Sequence, residues 1–251
     1  MSGIAGFWGY AAHDIPATIF AGFIDSLAHR GPDGSGINHF PDMRLWLGHR
    51  RLSSIEPAQE ERQPLADAQR RYWLTFDGTL YNERALCDQL SALGHVFASC
   101  STAEVVLAAY AQWGAACLGR FDGMWAVAIW DSRDRQLFLA RDNFGIKPLH
   151  YIMYGGAVAF ASEPQAFLRL RGIDNSFDKS EATLRRLPHG LRDLRAGHAI
   201  IIEATGEVRD CSSKRMWRVT SRRHVRPAMQ KRRHRSRRHQ PPMRPRERRR
   251  D

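Results

Sequence analysis

The chain has few cysteines and no long apolar stretch. Four cysteines, Cys87, Cys100, Cys117 and Cys211, stand among 251 residues, with no C-x-x-C pair and no histidine at zinc-ligand spacing. This usage predicts reduced, mostly buried thiols in a cytoplasmic protein, and no metal site. No run approaches the ~18 apolar residues that a bilayer span requires, so no membrane partner is expected. Met1-Ser2-Gly3-Ile4-Ala5-Gly6 lacks a basic segment followed by an apolar core and does not read as a secretory leader. A phosphate loop of the G-x-x-x-x-G-K-[ST] kind is also missing.

Charge is plentiful but unevenly placed. Lysine and arginine number 38 against 26 acidic residues, a formal net charge of +12. Residues 221–251 hold thirteen arginines and one lysine against Glu247 and Asp251, which accounts for the whole excess. The first 220 residues are neutral, so the body carries no electrostatic mark of a nucleic-acid binder. The tail has four prolines and no hydrophobic periodicity, and is expected to be disordered. Arginine-rich arms do bind phosphates. Thirteen arginines to one lysine nevertheless point to codon bias in a shifted reading frame rather than to selection for charge. The division expected is therefore a domain over residues 1–217 and an Arg/Pro-rich tail over 218–251, a product of truncation or frameshift, with nucleic-acid binding by the tail not expected.

Periodicity sketches the body. Residues 4–9 read as a buried strand, and Pro16 to Ala28 as a helix with Ile19, Phe23, Ile24 and Leu27 on one face. His29-Arg30-Gly31-Pro32-Asp33-Gly34-Ser35-Gly36 is dense in turn formers and reads as a loop. Strands are predicted at 45–52 and 72–76. Helices are predicted at 82–93 and 103–113, closed by Gly94 and Gly114. Strands follow at 124–130, 137–140, 149–153 and 157–161, then a hairpin pairing 199–203 with 207–210. Strands at both ends with helices between them predict an α+β layered fold.

Five segments, in order, resemble the N-terminal glutaminase domain of the asparagine synthetase family, a class II glutamine amidotransferase. They are Gly3-Ile4-Ala5-Gly6, the His29–Gly36 run, Leu47-Gly48-His49-Arg50-Arg51-Leu52-Ser53, Phe121-Asp122-Gly123-Met124-Trp125-Ala126 and Arg141-Asp142-Asn143-Phe144-Gly145-Ile146-Lys147-Pro148-Leu149. The resemblance runs from residue 1 to about 217. It implies a four-layer α-β-β-α sandwich of the N-terminal nucleophile amidohydrolase type. It also implies a second, ATP-dependent synthetase half, opened by S-G-G-x-D-S, which this sequence does not contain. ATP and magnesium are thus implied only for that missing half, and no cofactor for this chain. Lys214-Arg215-Met216-Trp217-Arg218 resembles the family's exit into the linker.

Site positions carried over from the resemblance have changed. Glutamine hydrolysis in such a domain uses an N-terminal thiol whose own amine is the base, and here Ser2 stands where cysteine is expected. A hydroxyl is the weaker nucleophile at neutral pH. The family's oxyanion hole, an asparagine amide plus the following glycine N–H, falls at Asp77 and Gly78. An aspartate there brings an acceptor in place of a donor, aimed where negative charge must develop. Thr79 replaces a glutamate, and Thr102 replaces the aspartate that holds the substrate ammonium. Arg51, the grip for the substrate carboxylate, remains. Arg30 and Asp33 read as a turn network, and His49 and Lys147 as structural.

Two readings follow. In one, the chain is a fragment of an asparagine synthetase-like protein whose glutaminase centre is inactive. It then acts as a scaffold for the absent amide-forming half, as in lasso-peptide cyclases and β-lactam synthetases, where the substrate supplies its own amine. In the other, it is the ammonia-supplying, glutamine-hydrolysing domain of an asparagine synthase, with Ser2 as a weak nucleophile. Glutamine or a peptide is the substrate class expected, the synthetase half is the expected partner, and the resemblance also allows a homodimer.

Overall fold

The computed structural model describes residues 1–12, 14–53, 62–170 and 187–211. Among them the strands are β1 Gly3–Trp8, β2 Gly34–Phe40, β3 Leu45–Arg51, β4 Leu65–Ala66, β5 Tyr72–Leu80, β6 Gly123–Asp131, β7 Gln136–Arg141, β8 His150–Tyr154, β9 Ala157–Ala161, β10 Arg192–Asp193, β11 Ala199–Ile202 and β12 Val208–Asp210. The helices are α1 Ala17–Asp25, α2 Glu83–Ala92 and α3 Thr102–Trp113. One six-stranded sheet has the order β10-β8-β9-β1-β3-β2, the other β12-β11-β7-β6-β5-β4. Every pairing between these strands is antiparallel. The exit at 214–218 and the basic tail lie outside the described residues.

Two-residue alternation along the strands builds the layers. In β1, Ile4 and Trp8 face the second sheet, while Ala5 and Phe7 face α1. In β6, Ala126, Ala128 and Trp130 point inward to the same central layer, and Trp125, Val127 and Ile129 point outward to α2 and α3. Helix α1 buries Phe20, Phe23 and Ile24, the i, i+3, i+4 stripe of an amphipathic helix. Helix α3 is capped by Ser101, whose hydroxyl accepts from the Glu104 N–H. Helices outside two facing sheets make the α-β-β-α sandwich. Between the sheets, Trp8 and Trp130 meet edge to face with centroids 4.7 Å apart, both fully buried. Thr75 Oγ1 of β5 donates to the Gly48 carbonyl of β3, a 3.0 Å hydrogen bond from sheet to sheet.

Two expectations need correcting. The 29–36 run is a loop only as far as Asp33, and from Gly34 it enters β2, an edge strand. Its glycines hid this because their use there is close approach: a Cβ on Gly36 would lie 1.9 Å from the Gln63 carbonyl oxygen. The reduced-thiol expectation also fails for one pair, since Cys87 and Cys100 form a disulfide, while Cys117 and Cys211 are free.

The central layer sets the stability of the sandwich. Trp130→Ala is expected to cost on the order of 3–5 kcal/mol, the usual loss for deleting a buried aromatic. Urea unfolding checks this; a change below 1 kcal/mol would contradict the role given to the Trp8–Trp130 contact.

Candidate functional site

Strand parity brings the site together. In β3 the inward residues are Leu45, Leu47, His49 and Arg51; in β5 they are Thr75, Asp77 and Thr79. Ser2, two residues ahead of inward-facing Ile4, shares the parity of β1. Polar and charged side chains thus gather at one end of the space that, further along, holds only apolar groups. A buried polar end to the space between the two sheets follows from nothing more than this change in residue type.

Asp77 is the centre of the arrangement. It is 2% exposed, and both carboxylate oxygens are taken: Oδ2 accepts from Arg30 Nη2 at 3.0 Å and Oδ1 from Lys147 Nζ at 2.9 Å. Arg30 fans out further. Its Nε donates to the Ser2 carbonyl at 2.9 Å and its Nη1 to Glu163 Oε1 at 3.2 Å. One guanidinium therefore separates Asp77 from the backbone of Ser2. The aspartate expected to point an anionic acceptor where negative charge must develop is instead held by two cations. The carboxylate is neutralised by two cations, and what position 77 lacks is a donor.

Local structure places both cations. Gly31 lets the turn after α1 press on β3: a Cβ there would lie 2.4 Å from the Arg50 carbonyl carbon. Lys147 ends a loop wound around the fully buried Asp142, whose carboxylate accepts the backbone N–H groups of Trp125, Phe144, Ile146 and Lys147 at 3.0–3.3 Å. Arg141 braces the same loop through the carbonyls of Lys147, Gly145 and Leu194. The loop is preorganised, and the lysine reaches Asp77 without searching.

Gly78 is the second position that the resemblance assigns to the oxyanion hole. Tyr81 N donates to the Asp122 carbonyl, and Phe76 N donates to Gln63 Oε1. Odd-numbered residues of β5 therefore bond to β6, and even-numbered ones turn their N–H groups to the opposite side. The Gly78 N–H points away from β6 accordingly. Only glycine fits here, because a Cβ would lie 2.5 Å from the Met124 carbonyl oxygen.

The remaining positions are further out. Ser2 is half-buried and its Oγ accepts from the Leu52 N–H at 3.3 Å. With Met1 in place, the Ser2 nitrogen is a peptide nitrogen, so base chemistry there requires removal of Met1. Arg51 lies against Gly34 and donates to the Asp33 carbonyl at 3.2 Å. Asp33 in turn receives the Ser53 N–H at 2.7 Å. Thr79 is exposed, and the Thr102 hydroxyl donates to Glu83. Sequence reasoning missed Glu83 and Glu163. Glu163 follows β9 directly and faces Arg30 and His29. Burial works to raise its pKa, but hydrogen bonds from His29 and Arg30 hold it below the ordinary carboxylate value. His49 is 5% exposed, and burial pushes its pKa down to about 4 against the raising influence of nearby Asp77. It is neutral at pH 7. Among the described residues no three His, Cys, Asp or Glu side chains converge as metal ligands, and no helix is long and apolar enough to cross a membrane.

Two facing antiparallel sheets with helices outside them, and the N-terminal strand central in one sheet, are the fold of the N-terminal nucleophile amidotransferase type. Residues 1–212 match the glutamine amidotransferase domain family, and the chain belongs to it. It is similar to asparagine synthetase [glutamine-hydrolyzing] 3 of Bacillus subtilis (strain 168), 32% identical over 214 residues that make up 80% of this chain and 34% of that protein. A putative asparagine synthetase of Mycobacterium bovis is 42% identical over 163 residues, 61% of this chain and 25% of the relative. The chain thus spans about a third or less of the length of these relatives. In fold it is similar to the glutamine phosphoribosylpyrophosphate amidotransferase of B. subtilis, with a TM-score of 0.63 and 23% identity over 83% of this chain and 48% of that one.

Removing the carboxylate tests the ion cluster. Asp77→Ala leaves Arg30 and Lys147 buried without their shared anion and is expected to cost about 3–5 kcal/mol in denaturant unfolding; a loss under 1 kcal/mol would contradict the geometry. His49 makes a separate, pH-dependent contribution. Its folded pKa lies below the ordinary 6.5, so the unfolded chain takes up the proton first as pH falls. Stability should be complete above pH 6.5 and decline between 6.5 and 4, by on the order of 3 kcal/mol in all. Melting curves across that window should be flatter for His49→Gln; identical slopes would refute the assignment.

Proposed function

We propose that this chain is an asparagine synthetase-like amidotransferase domain in which glutamine hydrolysis has been given up and the scaffold kept. One observation carries the reading. At the position of the oxyanion-hole amide stands Asp77, an acceptor with both oxygens committed to Arg30 and Lys147. A tetrahedral adduct would find the Gly78 N–H but no second donor from position 77, and loss of one such donor costs on the order of 10²–10³ in rate. Ser2 adds a weak nucleophile to a weakened hole, Thr79 stands where the family has a glutamate, and Thr102 offers a hydroxyl where a carboxylate would hold an ammonium. The parts that define the sandwich, by contrast, are intact.

In this reading the domain buttresses an ATP-dependent, amide-forming half of a longer parent and helps hold an amino-acid or peptide substrate. That division of labour is the one found in lasso-peptide cyclases and β-lactam synthetases. ATP and magnesium would bind in that other half. Gly155-Gly156, the nearest approach to a glycine-rich loop here, is a tight left-handed turn between β8 and β9, with φ of 53° and 80°. The rival reading, slow hydrolysis by Ser2, draws on the hydrogen bonds that still orient that residue through Arg30 and Leu52.

Glutamate release decides between them. The chain with Met1 removed should show no glutaminase activity above background, and Ser2→Cys combined with Asp77→Asn should raise it by about 10²-fold or more. Steady hydrolysis by the unaltered protein, within tenfold of that double variant, would establish the rival reading.

A further inference from the structure

We infer that Cys87 and Cys100 form a reversible redox site, opened by dithiols, that sets the position of the α2–α3 loop. The inference does not depend on whether the centre hydrolyses glutamine. Cys87 sits on α2 beside Leu86 and is 2% exposed; Cys100 is half-buried and immediately precedes the Ser101 cap of α3. Their Cα atoms are 6.1 Å apart, within the normal span of a bridge. Cys100 has φ of 52°, left-handed backbone that favours glycine. The bridge is one constraint on this residue, whose N–H also bonds to Glu104.

Besides the bridge, the loop is anchored through the Glu104 carboxylate, which accepts from Ser99 Oγ and the Cys100 N–H, and through the His95 N–H to the Leu90 carbonyl. Val96 is 96% exposed. Glu104 accepts from the Ala98 and Ser99 N–H groups at 2.9 Å each, and His95 meets Gln112 at 2.9 Å. Phe97 packs on the outer core from one side. The loop forms one wall of a groove of about 770 Å³ whose other side includes Leu65, Leu107 and Ala111. Thr102, two residues beyond Cys100, is the α3 residue that donates to Glu83 on α2. Loop, groove wall and this corner of the site therefore shift together when the bridge opens.

The chemistry is thiol–disulfide exchange. A thiolate of the reductant attacks the more accessible Cys100 sulfur, the Cys87–Cys100 bond breaks, and Cys87 leaves as a thiolate that takes a proton. The reductant's second thiol then displaces Cys100, so the protein gains two thiols while the dithiol becomes a disulfide. The other two cysteines are poorly suited to this exchange. Burial pushes the Cys117 thiol well above its ordinary value, and burial also raises Cys211.

The test uses the whole chain, equilibrated with oxidised glutathione or with dithiothreitol, then quenched by alkylation and peptide-mapped. A Cys87–Cys100 linked peptide is expected in the first sample and two alkylated thiols in the second. Amide exchange over residues 93–101 should be about tenfold faster after reduction, with β6 unchanged. Cys87→Ser/Cys100→Ser should exchange at the fast rate under both conditions. Absence of the linked peptide in oxidised glutathione, or equal exchange of the loop in both states, would overturn the proposal.

Discussion

A carboxylate shared by two cations at the mouth of a two-sheet sandwich is the interaction on which the rest depends. Arg30 comes from the turn after α1, Lys147 from the loop around Asp142, Asp77 from β5 and Glu163 from the segment after β9. Two positive and two negative charges balance, so the cluster is neutral overall, which makes its burial tolerable. It ties both sheets together where their apolar packing stops. It also binds the carbonyl of Ser2 and thereby fixes the path of the N-terminus.

On the proposed reading the same group decides the chemistry. An asparagine at position 77 would bring a donor to a developing oxyanion; an aspartate drawn onto Arg30 and Lys147 brings none. On the proposed reading, stability and loss of hydrolysis come from one side chain. That is consistent with a domain that keeps its glycine-dependent close approaches, at Gly31, Gly36 and Gly78, while its substrate-facing groups change. Neutral His49 completes the picture: next to so much fixed charge, burial leaves it uncharged and structural.

Much of this was legible in the sequence. The strands around Ala126–Trp130 and Ala157–Ala161 announced themselves by apolar runs, and α1 and α3 by helical periodicity. Strand β2 was not legible, because Gly34-Ser35-Gly36 carries turn chemistry while serving as an edge strand. The short strands β4 and β10, two residues each, lie below any periodic signal. Site positions 2, 77, 78, 79 and 102 came from the resemblance, but the direction of the Asp77 charge did not. A carboxylate's partners depend on Arg30 and Lys147, 47 and 70 residues away, and no local pattern links them. The disulfide was hidden for a similar reason. Its cysteines stand thirteen positions apart, with no motif between them, and the α2–α3 hairpin brings them together.

The central claim is that this centre does not react at the amide carbon of glutamine. Intact-mass analysis tests it most directly, after incubating the Met1-processed protein with a glutamine analogue bearing an electrophilic ketone in place of the amide. Unmodified protein is expected. Stoichiometric addition mapped to Ser2 would contradict it.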